Sequence, residues 1–324
     1  MPALLTSSRP APSGSPAQSW RSWHRPLVLF SAVMAVTAVL CAVGLVVDDR
    51  VLVGAPVWAK PLKFSVSFVA YSLSLAWMLS LLPRGRRLAW WAGTVVALAS
   101  LVEMLIITGQ AARGRRSHFN QATPFDSALF QAMAVTVVIL WAATLVIAVL
   151  LLRTRIADRA SAWAIRSGIV LALAGAAVGF LMTRPAPGQR RGVSKVIGAH
   201  SVGVPDGGPS MPLTGWSTTG GDLRIPHFVG MHALQLLPAL VMALTVLAPR
   251  FTRLAHDRVR LRLVLLASAT YAAVFALVLW QALRGRPLVH PDATTLGAAG
   301  LILLAAVVGT YGSLRTAAPR EPGA

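Results

Sequence analysis

Acidic residues are scarce in this chain. Asp and Glu together number 10 among 324 residues, and charged residues of both signs make up only 12%. A soluble domain carries about 25%, so this chain is too poor in charge to cover a water-facing surface of its size. Cysteine is scarcer still. The single Cys41 excludes an intrachain disulfide and a cysteine-based metal cluster, so any metal or haem would need His, carboxylate or Met ligands. A phosphate-binding loop, a His-Glu-x-x-His motif and a nucleophile motif are also missing from the sequence.

What the chain has in plenty is apolar length. Hydrophobic residues make up 56% of it, and the mean hydropathy is +0.66. They come in blocks of roughly 16 to 25 residues, the length that spans a bilayer core as a helix. The blocks lie near Leu27–Val47, Phe64–Leu82, Leu88–Gly109, Ser127–Leu152, Ser167–Met182, Val229–Ala248, Leu263–Leu283 and Ala293–Leu314. The first is long enough to be a retained span rather than a signal peptide. The fifth is short and begins beside Arg166, which can snorkel to the interface. The expected fold class is all-α: a polytopic transmembrane bundle of about eight helices over residues 27–314. Residues 1–26, rich in Ser, Pro and Ala, read as a disordered basic tail, and residues 315–324 as a second tail.

The net charge of +20 could suggest a nucleic-acid partner, but the basic residues lie in short clusters between apolar blocks. Membrane-flanking charges do that, so the expected partners are the lipid bilayer and anionic headgroups, with no nucleic acid. With the N-terminus inside, 17 of the 30 Lys and Arg fall on the inner side and 13 on the outer. This bias favours both termini on the cytoplasmic side. The long segment of residues 183–226 is then extracytoplasmic. Its turn sequences, Asp206-Gly207-Gly208-Pro209 and Thr218-Thr219-Gly220-Gly221, suit either a loop folded over the bundle mouth or a floppy linker.

The most polar stretch runs from Gly220 to Gln235, a glycine-rich loop passing straight into an apolar helix. It holds Asp222, Arg224, His227, His232 and Gln235. On the same side lie His118, His200 and His290. Glu103 stands seven residues before Gln110, on the same face and roughly 10 Å deeper at 1.5 Å per residue. It is the one acid deep in a span, where an ionisable group normally has a partner and faces inward. Lys63 is the expected partner. Gln131 lies one turn inside the fourth helix. Glu103, Gln131, His232 and Gln235 are therefore expected to line one outward-facing cavity, with Glu103 and His232 as acid/base groups or as ligands of a divalent metal or haem. His227 and His232 are about 140° apart around a helix and cannot chelate one ion as an i, i+4 pair would. Lys60 and Lys63 share a face at a helix start where positive charge opposes the dipole, so something anionic is expected nearby. It could be Glu103, a lipid phosphate or a small anionic ligand. Arg113 begins the Arg-Gly-Arg-Arg run at the end of the third helix, which suits either the mouth or lipid headgroups. Trp58 reads as an interfacial anchor.

Three stretches carry a resemblance. They are Trp58-Ala-Lys-Pro-Leu-Lys-Phe64; Glu103 followed by Gln110-Ala-Ala-Arg-Gly and Ser117-His-Phe-Asn120; and Gly221-Asp-Leu-Arg through His227-Phe and His232 to Gln235. In these the chain resembles an uncharacterised family of bacterial polytopic membrane proteins over most of residues 27–250. The likeness implies the membrane architecture and a place in a bacterial cytoplasmic membrane, and transfers no activity. A fainter similarity to haem A synthases lies in helix number and in polar motifs near helix ends, but that family's histidine pattern is not met. Three functions stay open: a membrane enzyme or redox protein using Glu103 and His232, a transporter of an anionic or lipid-like substrate, and a structural or assembly subunit without chemistry.

Overall fold

A computed structural model describes residues 22–315. Of the tails expected at residues 1–26 and 315–324, residues 1–21 and 316–324 lie outside the described residues. Arg25 and Pro26, assigned to the tail by sequence, form the first turn of a helix.

The described residues form eight long helices: α1 (Arg25–Val47), α2 (Ala59–Ser80), α3 (Arg86–Ala112), α4 (Pro124–Arg153), α5 (Arg159–Met182), α6 (Arg224–Leu247), α7 (Asp257–Leu283) and α8 (Ala293–Arg315). All eight are long and apolar enough to cross a bilayer. The protein is an all-α, multi-pass membrane protein in contact with lipid, as the block lengths led one to expect. The described residues also hold two short antiparallel ribbons, β1 (Val51–Leu52) with β2 (Ala55–Pro56) and β3 (Ser201–Val202) with β4 (Gly221–Asp222), and a 3-10 turn at Thr252–Ala255.

Local chemistry explains where the helices start. His24 Nδ1 accepts the Leu27 N–H at the head of α1. Thr123 caps α4, with Pro124 and Asp126 in the first turn. Asp158 caps α5 through the Ser161 N–H at 2.7 Å. That cap starts α5 eight residues before the expected Ser167, and the added turns bury Ala160, Ala164 and Ile165. Arg166 does not simply snorkel, because its guanidinium donates to the Thr154 carbonyl at 3.0 Å. Trp58 likewise has a specific partner. Its indole N–H donates to Asp48 at 2.7 Å, closing the α1–α2 turn.

The main core lies among α1 to α5, around Leu27, Met34, Leu75, Met78, Met104, Ile107, Met133 and Ile147, each under 2% exposed. The closest pair is α5 with α6, where Gly175 and Gly230 stand back to back. A Cβ on Gly175 would come within 2.5 Å of the Met231 nitrogen. Small residues permit such approach between spans, where dispersion rather than water exclusion holds helices together. α7 packs on α5 and α6, and α8 packs on α7. The outer side of α8 presents Leu301, Leu303, Leu304 and Val307, all exposed.

Antiparallel neighbours bring the links after α1, α3, α5 and α7 to one face. There they bind one another: Arg50 Nη1 donates to the Ala112 carbonyl at 3.0 Å, and Asn120 bridges Val196. His290 Nδ1 lies 3.3 Å from the Thr218 carbonyl oxygen. The segment from Thr183 to Leu223 is a folded cover rather than a linker. Gln189 holds both the N–H and the carbonyl of Gly198, at 2.7 and 3.0 Å. Asp206 accepts the N–H groups of His200 and Ser201. Gly221 sits so close to the Ala282 carbonyl that no side chain fits, which seats the cover on the end of α7.

Candidate functional site

The polar groups beneath this cover form a centre around Lys60, in the first turn of α2. That helix start has no acidic residue and no side-chain cap. Lys60 Nζ donates to His118 Nδ1 at 2.9 Å. His118 is aimed there by its neighbour Phe119. The Phe119 ring is 3% exposed and packs against the rings of His200 and Phe130. Its backbone is left-handed, φ 63°, a strain of about 1–2 kcal/mol that the ring's burial offsets.

Two further imidazoles approach His118. His200 and His227 both lie within electrostatic reach of it, as does Lys60. His200 Nδ1 is 2.8 Å from Asp206, and His227 Nδ1 is 2.8 Å from the Gly175 carbonyl oxygen. A carboxylate and a carbonyl can only accept, so each of these Nδ1 atoms carries the proton and each Nε2 is left with a lone pair. Burial, helped by the charge of Lys60, pushes His118 well below the ordinary histidine range. Burial also lowers His200, against the opposing pull of Asp206. Burial alone would raise Asp206, but the His200 ring and the two backbone N–H donors hold it well below the usual carboxylate range. At neutral pH the pair is thus a neutral imidazole donating to a carboxylate.

Three cations, Lys60, Lys63 and Arg224, and three carboxylates, Asp206, Asp222 and Glu103, act on one another here. Arg224 and Lys63 both act on Lys60 as like charges. Arg224 is neutralised by Asp222, which is 0% exposed and also accepts the Ser217 N–H at 2.8 Å. Lys63 is exposed and donates to the Thr214 carbonyl at 2.9 Å. Glu103 is 2% exposed. Its hydrogen-bond partner is Thr136 on α4, and the cation acting on it is Lys60 rather than the expected Lys63. Among the described residues no carboxylate forms an ion pair with Lys60.

The residues expected to share one cavity divide into separate neighbourhoods. Glu103 joins Lys60. Gln131 is exposed, and its amide donates to Ser127 on its own helix at 3.3 Å. His232 lies 4.2 Å from the ring centre of the exposed Phe228, with Gln235 as its polar neighbour. α6 packs mainly on α5 and α7, whereas α3 packs mainly on α4, and the hydrogen-bond and ring partners of Glu103 and of His232 are different residues. Gln110 and Arg113 both bind Asp126, at 2.9 and 3.2 Å, and lock the end of α3 to the start of α4. Asp222 and Arg224 act as a strut of the cover, since Arg224 also reaches the Gly215 carbonyl at 2.6 Å. Among the described residues no three His, Cys, Asp or Glu side chains stand together as a metal-binding set.

Sequence reasoning missed Asp206 and Thr136 as site residues and left His200 outside the site. Asp206 was visible only as turn chemistry, and Thr136 only as one hydroxyl in an apolar run.

The chain matches no protein-family model, no curated protein and no solved structure.

Proposed function

We propose that this is a transporter of a small anionic substrate in the bacterial cytoplasmic membrane. We place it in the polytopic family that its Trp58–Phe64, Gln110–Asn120 and Gly221–Gln235 stretches resemble. Both termini are cytoplasmic and the face carrying residues 183–223 is extracytoplasmic, consistent with the distribution of Lys and Arg. The basic residues of the opposite face meet anionic lipid headgroups.

One observation carries the reading. Lys60 stands at the positive end of α2 with Lys63 on the same face, and among the described residues no carboxylate is paired to either, Glu103 and Asp206 acting on Lys60 without an ion pair. Like charges gathered at a helix N-terminus repel one another and oppose the dipole, and an anion relieves both. Carboxylate, phosphate and sulfate groups have the size and hydrogen-bonding capacity for Lys60, with the imidazoles around it. A second reading, an acid–base enzyme, is favoured by the His200–Asp206 pair, in which the carboxylate fixes Nδ1 and leaves Nε2 a proton acceptor.

The test is thermal unfolding of the purified full chain in detergent with acetate, phosphate or sulfate at constant ionic strength. A ligand that binds only the folded state at 100 times its Kd stabilises by about 2.7 kcal/mol. The expected result is a saturable rise in melting temperature with one of these anions, lost in Lys60→Gln. Uptake of that anion into proteoliposomes supports transport. Chemical turnover of it without uptake favours the enzyme. No anion-dependent shift removes the proposal.

A further inference from the structure

We infer that the chain holds one anionic phospholipid of the surrounding leaflet against α6, with the lipid phosphate on Lys63 and a lipid ester carbonyl on His232. Phe228, His232, Gln235, Ala239 and Met242 recur every three or four residues and so share one face of α6. Gly230, Ala233, Leu237 and Val241, on the opposite face, are buried. Phe228, Ala239 and Met242 are exposed, and His232 and Gln235 between them are half-buried. This stripe therefore faces the bilayer, with an imidazole and an amide in it. Among the described residues the Gln235 side-chain oxygen accepts no hydrogen bond. Polar groups at this depth need a polar partner, and lipid tails supply none.

Measured contacts join the head of the stripe to α2. Residues 211–216 form a tight turn, closed by the Met211 N–H on the Trp216 carbonyl at 2.7 Å and the Gly215 N–H on the Met211 carbonyl at 3.0 Å. Lys63 of α2 donates to the Thr214 carbonyl at 2.9 Å, and Arg224 of α6 to the Gly215 carbonyl at 2.6 Å. A Cβ on Gly215 would stand 3.9 Å from Lys63 Nζ and 4.0 Å from Arg224 Nη1, so the two cations close on the same turn from different helices. The Trp216 ring centre is 5.7 Å from that of Phe228, which is 4.2 Å from that of His232. One line of contacts thus runs from the Lys63 ammonium, over the turn, to the imidazole two turns down α6.

The chemistry along this line selects the occupant. Lys63 is exposed and, among the described residues, forms no ion pair, whereas Arg224 is neutralised by Asp222. A lipid phosphate supplies the missing charge. Below it a glycerol ester offers carbonyl oxygens to an imidazole N–H, and an acyl chain covers Ala239 and Met242. Trp216 is of the residue type that favours this interfacial level. A second copy of the chain fits less well. Copies related by a two-fold axis along the membrane normal meet at equal depth, like residue against like, so Lys63 would approach Lys63. The lipid does not depend on an anion at Lys60, which is half-buried and held by His118.

Native mass spectrometry of the purified full chain tests this, with phosphatidylglycerol or phosphatidylcholine titrated into the detergent. It counts lipids per chain and reads the oligomeric state together. Wild type should hold one phosphatidylglycerol about fivefold more tightly than phosphatidylcholine, the worth of one lysine at an anionic membrane surface. Lys63→Met should abolish that preference. His232→Leu should weaken both lipids about fivefold, the worth of one neutral hydrogen bond, and His232→Gln, which keeps a donor, should restore them. Equal retention of the two lipids by wild type, or unchanged retention in His232→Leu, overturns the site. A lipid-free dimer that His232→Leu dissociates overturns it in favour of a second copy. If these variants do not fold, wild type in phosphatidylcholine vesicles supplies the test. Acyl-brominated phosphatidylglycerol should quench a component of tryptophan emission that Trp216→Phe lacks, and equal quenching by brominated phosphatidylcholine counts against the site. Failure of the anion reading would show separately, as no response to acetate, phosphate or sulfate while lipid binding persists.

Discussion

The closest helix contact gives the sharpest test of the fold, and through His227 it also tests the site. In Gly175→Ala the new methyl would stand 2.5 Å from the Met231 nitrogen and 2.6 Å from the Gly230 carbonyl carbon. Carbon contacts are comfortable at about 3.5–4.0 Å, so α5 and α6 must part by about 1 Å at this level. A gap of that size forfeits about a quarter to a half of each dispersion contact nearby. Overpacking of this kind costs about 1–3 kcal/mol. The expected fall in melting temperature in mild detergent is then several degrees, at about 2–4 °C per kcal/mol for a large domain. Gly179→Ala is the internal control. It lies one turn along the same helix, but its methyl would meet only the His227 ring, at 3.4 and 3.6 Å, and should cost little. Gly230→Ala addresses the same contact from the other side, so its combination with Gly175→Ala should cost less than the sum. A Gly175→Ala protein that melts with wild type, or a Gly179→Ala protein that falls as far, would refute the reasoning. The Gly175 carbonyl also accepts from His227, so the anion-induced shift should weaken in Gly175→Ala even where the protein stays folded.

Asp222→Ala should lower stability by about 3–5 kcal/mol, because it strands the partly buried Arg224 and the Ser217 N–H; limited proteolysis of residues 183–223 would register the loosened cover. Lys63→Met should cost under about 1 kcal/mol, since Lys63 is exposed and bonds one carbonyl; a loss equal to that of Lys60→Met would contradict the assignment of Lys60 as the centre. The depressed histidines His118 and His200 contribute stability that is full above the ordinary histidine pKa, about 6.5, and that is lost as pH falls below it. Protease sensitivity of the cover should therefore rise between about pH 6.5 and 5, and His118→Gln should flatten that rise. A cover equally resistant at both pH values would remove the neutral-imidazole account. A single cysteine at Gly207 in a Cys41→Ser background should react with an impermeant reagent added outside intact cells, and one at Arg253 should not; the reverse pattern would invert the orientation.

The eight spans were legible in the sequence because a bilayer imposes one length on every apolar run, and no partner is needed to read it. Helix starts were less legible. α2, α5, α6 and α7 begin five to eight residues before their apolar blocks, since first turns at an interface tolerate Lys, Arg and Asp that hydropathy discounts. The gathering of polar groups at one end was also readable, because depth along a helix follows from residue number at a fixed rise. Rotation about the helix axis was not readable. Whether His232 looks inward is decided by how α6 turns when Gly230 docks on Gly175, and that docking leaves His227 against α5 and His232 beside Phe228. The partner of Glu103 was undecidable for the same reason. Lys60 and Lys63 share a face of α2, and only the packing of α2 against α3, with Lys63 drawn off to Thr214, selects Lys60. The sequence by itself determined a membrane bundle with its polar chemistry at one end, because length and depth are properties of single helices. The tertiary structure alone decided which groups meet, because azimuth and long-range hydrogen bonds such as His200 with Asp206 exist only once the helices and the cover are packed together.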